Sequence, residues 1–99
     1  MPIDDGHAVD YTALSTGIPV YSSDEIELGT VHKVLDNARE HIFDGIVMEA
    51  KSGEQLFVDA PEVARTAEQA VTLNITAEQA QQQLEPYSGG GRLGRLFGR

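Results

Sequence analysis

Ninety-nine residues, 40% of them hydrophobic, make one small domain whose thin core leaves little room for an enclosed catalytic pocket. The chain has no cysteine, which excludes disulfides, thiolate catalysis and cysteine-ligated metals, and its net charge of −9 sets the body against nucleic-acid phosphates. No apolar run approaches the roughly 20 residues of a membrane-spanning helix, and the early aspartates are unlike the basic start of a signal peptide, so the expected location is the cytoplasm.

In chain order, residues 1–13 read as a mobile acidic lead, from which Tyr11, with Leu14 just beyond, is able to pack onto the domain. The domain expected over residues 14–85 opens with a strand from Gly17 to Ser22, which Pro19 marks as an edge or a strand start because proline cannot donate to a ladder. Ser22-Ser23-Asp24-Glu25 is a turn by its short polar side chains. Ile26 to Leu35 is a second strand, whose period-two alternation slips near Gly29, as at a bulge or a sharp bend. A polar connection, Asp36 to Glu40, leads to Ile42–Met48, apolar enough for a central strand. Lys51-Ser52-Gly53-Glu54 then turns the chain into Leu56-Phe57-Val58.

The pentapeptide TAEQA occurs at residues 66–70 and again at 76–80. The second copy has Thr76 as an N-cap and Gln79 three residues later, a capping box that predicts a helix over Thr76–Leu84. The first copy runs into the alternating Val71–Ile75, so residues 63–70 read as part of a hairpin, against a helical propensity that points the other way. The expected core is Ile18, Val20, Leu28, Val31, Ile42, Ile46, Val47, Phe57, Val58, Val71 and Leu73. The predicted class is all-β, with about five to six short strands and one short C-terminal helix.

From Pro86 the chain becomes a flexible tail, residues 86–99, with five glycines between Gly89 and Gly98. The tail holds Arg92, Arg95 and Arg99 and no acid, whereas residues 1–86 hold sixteen acids against four basic residues. Leu93, Leu96 and Phe97 have the i, i+3, i+4 spacing of one helical face, flanked by the arginines. Apolar anchors beside arginine suit a groove on a partner protein, and would hold an anionic membrane only weakly. The expected partner-binding residues are therefore Arg92, Leu93, Arg95, Leu96, Phe97 and Arg99.

The order of elements resembles the PRC-barrel family of small β-barrels. The carrying residues are Gly17–Tyr21, Leu28-Gly29-Thr30-Val31, the strands Ile42–Met48 and Leu56–Val58, Asp59–Val63 and Val71–Leu73, about 60 residues in all. Glu25 stands where the turn of that family usually carries glycine, which argues against a left-handed backbone at this position. The resemblance implies an adaptor or assembly module that docks onto a larger complex, and it brings no catalytic residues.

The remaining constellations are bland. His32 and His41, with Asp36 or Asp44, lack the three or four convergent ligands that zinc requires, and His7 falls in the lead. Asp4-Asp5 and Asp24-Glu25-x-Glu27 lack the ligand order of a calcium loop. Ser22, Ser23 and Ser52 have no His–Asp partners, and GGGRLG is no phosphate loop. The expectation is a non-enzymatic interaction module without cofactor or metal, its protein partner unidentified. A structural homo-oligomer formed through barrel strands, or a small-ligand or metal-binding barrel using His32 and His41, are the competing readings.

Overall fold

The computed structural model describes residues 4–37 and 39–87. Seven strands form one sheet: β1 (Pro19–Tyr21), β2 (Glu27–Asn37), β3 (Ile42–Ala50), β4 (Gln55–Asp59), β5 (Val63–Thr66), β6 (Val71–Leu73) and β7 (Glu85–Pro86). Their spatial order is β5-β6-β1-β2-β3-β4-β7, and a single helix, α1 (Ala77–Gln83), precedes β7. Among the described residues β5 and β7 remain unjoined edges, so the sheet is open. The domain is thus mostly β with one short helix, and it has seven strands where five to six were expected. The added strand is β7, in which Pro86 pairs with Leu56 at the sheet edge. An edge position spares proline the donation it cannot make, so the residue read as the start of the tail belongs to the sheet.

The predicted strands lie close to the observed ones. Pro19 opens β1, which is interior, flanked by antiparallel β2 and parallel β6. The slip foreseen near Gly29 is a bulge: Val20 pairs with Gly29 and Tyr21 with Glu27, leaving Leu28 as the extra residue. Gly29 also faces Ala50 on β3, and a β-carbon built on it would collide with the carbonyl oxygen of Glu49 and lie 2.9 Å from Ala50 Cα. Only glycine fits so close an approach. Gly45 meets the Val58 carbonyl in the same way with φ +146, a backbone that favours glycine. Residues 63–66 pair with β6, so the ambiguous stretch after Pro61 is a hairpin. Sheet pairing there overrides the helical propensity of TAEQA.

The turn before β2 corrects one expectation. Glu25 has φ +66, a left-handed backbone without glycine. Its N–H donates to the Ser22 carbonyl at 3.0 Å and Ser22 N–H donates to the Ile26 carbonyl at 2.9 Å, so the surrounding hydrogen bonds hold the conformation.

Val20, Val31, Ile46, Met48, Val58, Val71, Leu73, Ile75 and Ala80 form the core on one face, where α1 covers it. Ile18 and Leu28 are half-buried against this cluster, whereas Ile42, expected inside, is 49% exposed. It opposes Asn37 at the outer end of the β2–β3 pair, beyond the reach of the covering elements. Val47 and Phe57 are buried outside that cluster, and Phe57 lies with its ring centroid 6.5 Å from that of Tyr87.

Residues 5–9, expected from composition to belong to a mobile lead, lie along the end of β5. Val9 N–H donates to Thr66 O, Thr66 Oγ1 donates to Val9 O, and Gln69 N–H donates to Asp5 O. Arg65 grips the buried Asp5 through Nε and Nη2 at 2.7 and 3.1 Å. Tyr11, in a turn of 3-10 helix, stacks on Phe43 with ring centroids 4.9 Å apart.

Candidate functional site: an apolar groove beside the helix

The site begins with a local polar knot. Ser22 is fully buried, and its hydroxyl donates to the Asp24 carboxylate while accepting from Ile26 N–H at 3.0 Å. That carboxylate also accepts from the first N–H of α1, Ala77 N, at 3.1 Å. These bonds hold the Asp24 carboxyl below its ordinary range, the Ser22 hydroxyl contributing most and desolvation opposing it. Thr76 and Gln79 complete the predicted capping box, at 3.1 and 2.9 Å. The turn before β2 and the cap of α1 are therefore tied together, and this tie places the helix over the sheet.

What α1 presents to the sheet is small. Ala77, Ala80 and Leu84 line one wall of an open groove, opposite Leu28 of β2, Met48 and Ala50 of β3 and Leu56 of β4, with Pro86 of β7 at the end. Two alanines where larger side chains would fill the space leave a volume of about 520 Å3. That is within the ~300–1,000 Å3 typical of ligand pockets. Ile26, 50% exposed, stands at the mouth. The polar margin is Glu27, Glu54, Lys51, Ser52 and Gln81. Such a surface can enclose apolar side chains, and it offers two carboxylates to an incoming cation.

The sequence-derived candidates distribute unevenly. Arg92, Leu93, Arg95, Leu96, Phe97 and Arg99 lie outside the described residues. His32 and His41 are not brought together. His32 sits in a β2 bulge between Val31 and Lys33, opposite Met48 and Val47, and its Nε2 is 3.3 Å from Gln55 Nε2. His41 precedes Ile42 at the other end of the same pair, about 20–24 Å away along a strand rising ~3.4 Å per residue. Asp36 and Asp44 lie near Tyr11; desolvation first and then Asp36, Asp10 and Asp44 push the Tyr11 hydroxyl above its usual range. Among the described residues no group of three or more His, Asp or Glu side chains is placed to hold a metal ion. Ser22 is engaged in the turn, and Ser23 and Ser52 are exposed. No helix among the described residues is long and apolar enough to cross a membrane.

Sequence reasoning missed the groove and the Asp5–Arg65 pair. The groove had one visible signal: Ala77 and Ala80, three apart, leave the buried face of a short helix without bulk. The ion pair joins residues 60 apart and had none. No family model matches the chain, and no curated protein matches it.

Proposed function

We propose that this chain is a non-enzymatic, cytoplasmic interaction module of PRC-barrel-like type, which docks onto a larger protein complex through its apolar groove and its basic-apolar segment 92–99. The observation that carries the reading is the open groove walled by Leu28, Met48, Leu56 and Leu84, an apolar surface able to enclose the side chains of a partner. The PRC-barrel-like part of the reading rests on the resemblance in element order; its stretches fall in β1, β2, β3, β4 and β6, and Asp59–Val63 runs from the end of β4 through the 3-10 turn Ala60–Glu62 into β5. A closed barrel would in addition join β5 to β7. Leu96 and Phe97 supply the anchors on the other half of the contact, each contributing about 1.5–3 kcal/mol if fully enclosed. Arginine alone would give a contact that salt screens within roughly 8–10 Å.

The test compares the full chain with a Leu96→Ser/Phe97→Ser double variant. Proteins retained by the full chain from a lysate are identified, purified and rebound singly, with a synthetic peptide of residues 88–99 as competitor. The expected outcome is one-to-one binding that the peptide competes and the double variant loses, at an unchanged melting temperature. Binding that survives the double substitution removes the tail from the function. Light scattering that shows a stable homo-oligomer for both proteins would favour the structural reading instead.

A further inference from the structure

We infer that the groove beside α1 is the resting seat of this chain's own C-terminal segment, with Leu93, Leu96 and Phe97 against its apolar walls and the arginines against its carboxylate margin. The inference rests on the reading of that segment as a docking peptide and names the surface that receives it in the free protein.

Three observations converge on it. The first is where the described chain ends. β7 runs antiparallel to β4, Pro86 is itself a groove residue, and Tyr87 N–H donates to Gln55 O at 2.8 Å. The next step along that ladder leads to the Lys51–Glu54 turn, which supplies Lys51, Ser52 and Glu54 to the groove margin. The chain is thus delivered to the mouth of the groove, and Gly89-Gly90-Gly91 follow at once, the residue type that permits a reversal.

The second is reach. Leu93 lies six chain steps beyond Tyr87, a span of at most about 22 Å. The whole described body measures 40 × 32 × 21 Å, and the groove adjoins the exit point, so the tether is long enough without being slack. A short tether also raises the local concentration of the tail to the millimolar range, which favours the attached segment over a free competitor.

The third is complementarity. The body carries sixteen carboxylates against four basic residues, and the groove margin presents Glu27 and Glu54 against the one cation Lys51. The tail carries three arginines and no acid. Ile26, an exposed large apolar side chain of the body, stands at this mouth, where an apolar occupant would cover it.

The absence of cysteine from the chain makes the test direct. A full-length Ile26→Cys/Phe97→Cys pair is oxidised at low protein concentration and followed by non-reducing electrophoresis and mass. The reference pair is His32→Cys/Phe97→Cys, because His32 contacts Gln55, the residue beside the chain exit, from the strand face opposite buried Val31. Expected is an intramolecular disulfide in a monomer, closing at least about tenfold faster for the Ile26 pair, with the advantage abolished by Leu93→Ser/Leu96→Ser in the same chain. Equal closure rates would show a tail without a seat and overturn the inference. A disulfide found only between two chains would overturn it in favour of exchange with a second copy. Amide NMR shifts of Leu28 and Ala80 in the unlabelled full chain, compared with Leu93→Ser/Leu96→Ser/Phe97→Ser, give a readout that needs no introduced cysteine; unchanged shifts would likewise overturn it. Partner binding through the tail without preferential closure at Ile26 leaves the docking function standing and removes this inference, while preferential closure with no partner does the reverse.

Discussion

Adding a single methyl group at Gly29 tests how closely β2 and β3 approach. Gly29→Ala places a carbon on the Glu49 carbonyl, and the sheet must open locally to admit it. The expected cost is about 1–3 kcal/mol in a urea melt, although alanine loses less conformational entropy on folding than glycine. A neutral result would mean that the two backbones part easily. Gly29 was legible because the alternation of Ile26, Leu28, Val31 slips around it, and a slip beside glycine has few causes. Glu25 was not legible. Its left-handed backbone costs roughly 1–2 kcal/mol and is imposed by bonds from Ser22, which leave no mark in the identity of residue 25.

At the scale of elements, α1 depends on its cap more than on its length. Seven residues fall well below the roughly 12–15 that an isolated helix needs, so its formation rests on the Thr76–Gln79 box, the bond that Ala77 N–H donates to Asp24 and the burial of Ala80. Thr76→Ala should cost about 1 kcal/mol and raise amide exchange at Ala80, whose N–H donates to Thr76 O. Unchanged exchange there would place the stability of α1 elsewhere. The box was readable because both partners lie within four residues. The strands were readable for a related reason, their β-branched alternation being local. The groove was not, because it exists only once α1 lies across β2, β3 and β4 with two alanines facing inward. The exposure of Ile42 escaped for the converse reason: its pattern is that of a core residue, and only its position at the end of the ladder leaves it uncovered.

At the scale of the whole molecule, residues 5–9 fasten the far edge of the sheet. Hydrogen bonding to Arg65, with the guanidinium charge beside it, holds the Asp5 carboxyl below its usual range despite desolvation. A depressed carboxyl stabilises the fold above the unfolded value of about 3.9 and loses that contribution as pH falls through the native one. The urea midpoint of the wild type should therefore exceed that of Asp5→Asn at pH 7, with the gap narrowing as pH falls below the unfolded value. A gap that is constant with pH would assign the effect to packing rather than charge. The pairing of β1 with β6 carries a different consequence. Val20 finds its parallel neighbour in Val71, fifty-one residues downstream, whereas its other neighbour, Gly29, comes only nine residues later. During synthesis β1 to β4 can assemble as successive hairpins while one side of β1 stays open, and that side is covered only when β6 has emerged. Any fragment that stops short of Val71 keeps an unsatisfied row of backbone donors and acceptors in what would be the middle of the sheet, a sticky intermediate rather than a smaller version of the domain.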